Sequence, residues 1–227
     1  MIINHDNSNL IIIEKKNEVY ITVDCESDIQ REISEFFTFY VPGYKFMPAF
    51  RTRMWDGKIR LFSQKTKEIY YGLFPYIKAF AEERGYNIIA GKDVEIDNKV
   101  DKETVTKFSN SLGQKFEARD YQIDAIYHSL KFNRALLLSP TASGKSFIIY
   151  ALIRYYSHLI KDESNSRILL IVPTTSLVEQ MYSDFETYGW NVKKYCHRLY
   201  SGYSNQTDKK VLISTWQSLY KLPREYF

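Results

Sequence analysis

The chain has 227 residues, of which 44% are hydrophobic and 26% charged, and it carries a net charge of +4 at pH 7. Such a composition suits one or two globular domains with a real core and excludes a disordered or fibrous chain. There is no apolar run near the ~20 residues needed to cross a bilayer, and Met1–Asp6 lacks the basic segment of a secretory signal. Cys25 and Cys196 stand far apart, which argues against a disulfide framework and for a reducing, cytoplasmic setting. Cys196-His197 has no second pair to complete a zinc site, so Cys196 reads as a core thiol. The small positive charge hints at an anionic partner.

In chain order, Leu10–Ile13 and Val19–Val23 are β-branched runs flanking a polar turn, the pattern of a hairpin. Ser27-Asp28-Ile29-Gln30 has the spacing of a capping box and opens a helix expected to bury Ile29, Ile33, Phe36 and Phe37. Ala49–Met54 and Lys58–Phe62 are expected to pair as strands about Asp56-Gly57. Pro75 suits the first turn of a helix running to about Arg84, and Gly85 suits its exit. From Asp93 to Gly113 the chain is polar, with a short helix expected over Lys102–Ser109. Then follow helix 119–131, strand 134–138, helix 145–160, strand 167–172, helix 175–187, strands 191–196 and 210–214, and a helix from about 216. That alternation implies a parallel sheet with helices on both faces. The fold class is therefore α/β: a small α+β domain over residues 1–95, a linker over 96–116 and a parallel-sheet domain over 117–227.

The segment Ser139-Pro140-Thr141-Ala142-Ser143-Gly144-Lys145-Ser146 lies between an apolar run and an apolar-periodic helix. Strand, small-residue loop, Gly-Lys-Ser and helix together make a phosphate-binding loop, although Ser139 stands where the strict pattern has Gly. Backbone N–H groups curl around a phosphate, and the following helix aims its positive end at the same anion. In that chemistry Gly144 allows close approach, Lys145 reaches the terminal phosphates and Ser146 ligates Mg²⁺. The candidate catalytic residues are Lys145 and Ser146, and ATP with Mg²⁺ is the expected ligand. Upstream, Arg119 and Gln122 are candidates to read adenine, because an amide offers both a donor and an acceptor.

Two further junctions, Val172-Pro173-Thr174-Thr175 and Ser214-Thr215-Trp216, also run from strand through hydroxyl residue to helix. Thr174, Thr175 and Thr215 are candidates for nucleic-acid contact, with ordinary helix capping as the alternative. Between Tyr44 and Lys67, seven basic residues face the single Asp56, a local charge of +6. Basic groups neutralise phosphates, and exposed aromatics stack on bases. Lys45, Arg51, Arg53, Trp55, Lys58 and Arg60 are the candidate DNA contacts there.

Taken together, Gln122, the Pro140–Ser146 loop, Pro173–Gln180 and Ile213–Leu219 resemble the first motor domain of superfamily 2 helicases over roughly residues 117–222. Tyr44–Arg51, Trp55–Leu61 and Tyr71-Gly72-Leu73 resemble the accessory domain of the UvsW-like helicases of tailed phages. The resemblance implies a RecA-like, ATP-dependent DNA motor working as a monomer in the host-cell cytoplasm. It further implies a role in repair and recombination on branched DNA, namely stalled forks, Holliday junctions and R-loops with their RNA strand.

Such a motor needs an apolar strand ending in Asp-Glu to hold Mg²⁺ and orient the attacking water. The only Asp-Glu, Asp162-Glu163, lies in a polar stretch ahead of the strand at Ile168. A second motor domain with its arginine finger is also missing. The chain is accordingly expected to be the N-terminal portion of a longer motor, with negligible hydrolysis of its own. Two alternatives stay open: a DNA-binding module without turnover, and the translocase subunit of a restriction system.

Overall fold

The computed structural model describes residues 9–94, 99–160 and 166–226, so Met1–Asp6, the boundary near residue 95 and Asp162-Glu163 lie outside the described residues. The chain separates into two compact units, Met1–Ile96 and Asp97–Phe227.

In the first unit, β1 (Leu10–Lys15) and β2 (Tyr20–Asp24) form the expected antiparallel hairpin, with Ile13 opposite Val23. Strand alternation turns Ile11, Ile13, Ile21 and Val23 to one buried face. The sheet is completed by β5 (Glu68–Tyr70) beside β2 and by β6 (Asn87–Ala90), which runs parallel to β1, giving the order β5-β2-β1-β6. Two helices supply the rest of this core. α1 (Ser27–Phe36) contributes Ile29 and Ile33, and α3 (Phe74–Arg84) contributes Ile77, Phe80 and Ala81. Pro75 opens α3 and Gly85 closes it.

Two details of α1 depart from expectation. Glu26, not Ser27, is the N-cap residue and makes no side-chain cap, while the Gln30 amide donates back to the Cys25 carbonyl at 2.7 Å. Phe36 remains half exposed because it ends the helix, and Phe37 takes the core position instead. The Arg84 guanidinium lies over the Phe36 ring and shields it.

The expected hairpin about Asp56-Gly57 does not form. β4 (Lys58–Arg60) pairs with β3 (Thr38–Tyr40), and residues 41–57 make an excursion closed by a bond from Val41 N–H to the Gly57 carbonyl. Pro48 explains the difference. Its fixed φ suits a first helical turn, and it opens α2 (Pro48–Arg51), whose end is tied by the Thr52 hydroxyl donating to the Pro48 carbonyl. Tyr44 is the hub of the excursion, stacked on Tyr40 at 4.6 Å and edge-on to Phe50 at 4.8 Å. Gly57 lies against this ring with φ 79°, and a Cβ there would collide with it.

The second unit begins with α4 (Lys102–Asn110), capped by Asp101, whose carboxylate accepts from Thr104 N–H. This helix was expected inside a linker, yet Val105 and the following Leu112 join the core of the second unit. Around that core lie α5 (Asp120–Phe132), α6 (Lys145–Leu159) and α7 (Thr175–Thr187). The parallel sheet has the order β7-β9-β8, with β7 (Ile168–Val172), β9 (Val211–Thr215) and β8 (Cys196–Leu199). All five residues of the central β9 are buried, as a strand covered on both faces requires. α9 (Trp216–Leu219) follows it.

Two expected strands are corrected here. Residues 134–138 belong to no ladder among the described residues, and Leu136 and Leu138 are 85% and 89% exposed. An apolar run becomes a strand only where a neighbour accepts and donates its backbone bonds. Residues 191–196 are mostly the short helix α8 (Val192–Tyr195), because Asn191 caps it through Lys194 N–H and Trp190 stacks on Tyr195 at 5.5 Å. The strand begins only at Cys196. No described helix is long and apolar enough to cross a membrane.

Gly57→Ala should lower stability by about 1–3 kcal/mol through overpacking and an unfavourable φ. Gly72→Ala, where nothing lies within 4 Å and φ is ordinary, should stay within about 0.5 kcal/mol. Urea unfolding followed by tryptophan fluorescence measures both.

Candidate nucleotide site and basic surface

α6 starts at Lys145 with Gly144 as its N-cap residue at φ 77°, and Ala142 two residues earlier sits at φ 62°. Closely spaced left-handed residues make a nest of amide groups suited to an anion. The N–H groups of Thr141, Ala142, Gly144, Lys145 and Ser146 hold no partner among the described residues. The loop is therefore a set of unspent donors at the positive end of a long helix. The Lys145 ammonium folds across it, donating to the carbonyls of Ser139 at 3.2 Å and Pro140 at 2.6 Å. Ser139, the departure from the strict motif, is hydrogen-bonded through its hydroxyl to that of Ser143, a bond a glycine there could not make.

The start of α5 is fastened to this loop through one carbonyl. Ser143 O accepts from the Gln122 amide at 3.2 Å and from the Tyr121 hydroxyl at 2.9 Å. Gln122 is 5% exposed, and its Oε1 accepts from Arg119 N–H, so both ends of its amide are engaged within the protein. The Arg119 guanidinium in turn donates to the Tyr121 hydroxyl. A Cβ at Gly144 would strike the Gln122 amide, a second reason for glycine there besides its φ. Tyr121 is the residue of this site that sequence reasoning did not single out. Its place directly before Gln122 was visible, but its bond to Ser143 spans 22 positions in sequence.

The two hydroxyl-bearing junctions come together at one end of the sheet. Val172 pairs with Thr215, so the chain leaves β7 and β9 side by side. Thr174 caps α7 by accepting from Leu177 N–H at 3.3 Å and remains exposed, as does Thr175. Thr215 is buried and its hydroxyl is committed to that of Ser218. α7 is braced against β8 by Glu179, which accepts from the Arg198 guanidinium at 2.5 Å and the Tyr200 hydroxyl at 2.6 Å. Burial pulls the Glu179 carboxyl upward, but these bonds outweigh it and hold the group below the usual carboxylate range. Burial also pushes the Cys196 thiol up to about 12, so it behaves as an inert core group.

In the first unit, the basic candidates divide into free and engaged groups. Lys45, Arg51 and Arg53 are exposed and hold no ion pair among the described residues, although the Lys45 ammonium lies over the Tyr44 ring at 5.9 Å. Lys58 lies over the Tyr40 ring at 4.9 Å. Arg60 is paired with Asp56, whose carboxyl is held below its ordinary value first by that bond and then by the Lys58 N–H. Trp55 is half-buried, and its indole N–H donates to the Lys58 carbonyl at 2.9 Å. The aromatic and sulfur side chains left in the open are instead Phe46 and Met54.

A phosphate loop ahead of a helix beside a parallel sheet defines a RecA-like motor domain, here preceded by a small α+β domain. Comparison with known proteins agrees on both parts. The family model of the DNA helicase UvsW N-terminal domain matches residues 11–91, and that of the type III restriction enzyme res subunit matches residues 115–226. The ATP-dependent DNA helicase uvsW of Enterobacteria phage T4 is 34% identical over 217 residues, which cover 92% of this chain and 42% of that protein. A crystal structure of the UvsW helicase from bacteriophage T4 superposes with a TM-score of 0.81 at 30% identity, over 96% of this chain and 78% of that one. A second crystal structure of T4 UvsW gives 0.81 at 31% identity, over 95% of this chain and 44% of that one. The chain belongs to the UvsW family of DNA helicases and spans less than half the length of its T4 relative.

Thr174→Ala should cost about 1 kcal/mol, the usual loss for removing a helix cap. Thr175→Ala, at an uncapping position on the same exposed turn, should stay within about 0.5 kcal/mol. Thermal unfolding of the two variants separates the capping role from any role in ligand contact.

Proposed function

We propose that this chain is the nucleotide- and DNA-binding portion of an ATP-dependent DNA helicase that acts on branched DNA. The observation that carries the nucleotide part is the set of unpaired amides at Thr141, Ala142, Gly144, Lys145 and Ser146 with the Lys145 side chain folded over them. Two carbonyls are weaker partners for an ammonium than a polyphosphate. When ATP enters the nest, Lys145 exchanges Ser139 O and Pro140 O for phosphate oxygens. Ser146, on the first turn of α6, is the residue to hold Mg²⁺, which neutralises phosphate charge when bound. Gln122 reads adenine by releasing Ser143 O, and Tyr121 keeps that carbonyl satisfied during the exchange.

The DNA part rests on Lys45, Arg51 and Arg53, which are exposed and hold no ion pair among the described residues, and on the exposed Thr174 and Thr175; Thr215, buried and bonded to Ser218, drops out of the expected contacts. The T4 relative is named an ATP-dependent DNA helicase, which favours duplex remodelling at forks, Holliday junctions and R-loops, where RNA is one strand. The protein is read as a monomer working in the host cytoplasm. The restriction-translocase reading is disfavoured by the match of residues 11–91 to the UvsW N-terminal domain.

Calorimetry with ATP and Mg²⁺ should register binding that Lys145→Ala abolishes; equal affinity of the two proteins would overturn this role. ATP should be preferred over GTP, and Gln122→Ala should erode the preference by about 1–3 kcal/mol, the range of a bidentate base contact.

On linear duplex DNA, affinity should fall with salt at a log–log slope of roughly −0.9 per phosphate neutralised. Replacing Arg51, Arg53, Lys58 and Arg60 together by Ala should flatten that slope in salt-titrated anisotropy.

A further inference from the structure

The excursion between β3 and β4 carries an arrangement that phosphate binding does not use. Its most exposed large apolar side chains are Phe46 (86%) and Met54 (83%), well beyond the next in the first unit, Tyr76 (60%). Single exposed apolar residues are ordinary. Here, however, both lie in one excursion and each directly follows a cation that holds no ion pair among the described residues, Lys45 before Phe46 and Arg53 before Met54. Phe46 ends a 3-10 turn (Tyr44–Phe46) that begins at Gly43, and the neighbouring Tyr44 ring is clamped between Tyr40 and Phe50. Met54 follows α2 and is anchored by its N–H donating to the Ala49 carbonyl at 2.9 Å, a bond shared with Trp55. Met54 also lines an open concavity of about 580 Å³ with Lys45, Phe50, Arg51, Arg53, Trp55 and Asp56. Arg53, beside it, holds a left-handed φ of 59° that an arginine adopts only under constraint.

Exposed apolar side chains on an excursion that also carries Lys45, Arg51 and Arg53 fit one partner chemistry well: a nucleic-acid duplex opened at its end. The cations hold phosphates on either side. The apolar side chains insert at the terminal base step, as apolar wedges do in proteins that kink or unstack DNA. A protein partner would not require three cations on the same excursion.

We infer that Phe46 and Met54 form a wedge that inserts at the last base step of a DNA junction, unstacks it and supplies preference for branched over linear duplex. This rests on the reading of the first unit as a DNA-binding domain, and it adds the element that distinguishes one DNA structure from another. The cations alone provide structure-independent affinity.

The test uses the full chain with two DNAs of equal length, a linear duplex and a fork with 2-aminopurine at the junction step. Wild-type protein should bind both with steep salt dependence, prefer the fork and raise the 2-aminopurine fluorescence on the fork alone. The double variant Phe46→Ala/Met54→Ala should lose on the order of tenfold in fork affinity, the loss expected for one base-stacking contact. It should also lose the fluorescence rise while keeping the linear-duplex affinity and salt slope. Phe46→Trp should restore the signal. Both side chains are exposed, so thermal unfolding should be unchanged. A double variant that retains the fork preference and the fluorescence rise, or that loses both DNAs equally, overturns the wedge. If wild-type protein shows no salt-dependent binding to linear duplex, the DNA-binding reading fails first and the wedge falls with it.

Discussion

Tyr121 and Gln122, at the first turn of α5, donate to one carbonyl, that of Ser143, in the loop before α6. Through that single acceptor the first turn of α5 is joined to the loop that precedes α6. Apart from Ser143 N–H, which donates to the Pro140 carbonyl, the loop's amides from Thr141 to Ser146 have no partner among the described residues, and two of its residues, Ala142 and Gly144, are left-handed. Amides without a protein partner are costly only where water cannot reach them, and Thr141, Ala142 and Lys145 are exposed. The loop is held at its flanks, by the α5 contacts on one side and the rigid start of α6 on the other. The same contacts restrict Gly144, where any side chain would displace the Gln122 amide.

The first unit follows a comparable logic by other means. Its four-stranded sheet and two helices bury a core of mostly isoleucine and phenylalanine. The excursion from Val41 to Gly57 adds almost nothing to that core and is organised by its own aromatic contacts around Tyr44. A loop stiffened by rings can present charged and apolar groups in fixed positions without drawing on the sheet for support. The close fit of Gly57 beneath Tyr44 thereby governs where the basic residues on either side of α2 are held.

Helices were legible in the sequence because their hydrogen bonds are local. Pro75 and Gly85 bracketed α3, and Gly144-Lys145 marked the start of α6, each through residues within one turn of the boundary. Strands were less legible because their bonds lie elsewhere in the chain. The Leu-rich run at 135–138 has strand composition and no neighbour among the described residues, and Val192–Tyr195 was drawn into a helix by the cap at Asn191. The turn before α6 was legible because Gly144-Lys145 stand next to each other in the chain, whereas the strand expected just ahead of it at 134–138 is not formed among the described residues. The identity of the exposed apolar residues was not legible. Trp55, the most conspicuous aromatic of the basic segment, is pinned by Lys58, while Phe46 and Met54 stand free. Which of several apolar side chains is left uncovered depends on the packing of all the others.

The uncovered leucines at 136 and 138 also bear on how this polypeptide behaves at concentration. On β7, Leu169 and Ile171 are exposed as well, and the strand has no neighbour on its outer side among the described residues. Bare apolar backbone edges recruit other chains by the same ladder bonds that build sheets. The second unit thus pairs a buried interior with exposed apolar side chains at Leu136, Leu138, Leu169 and Ile171, the last two on an edge strand.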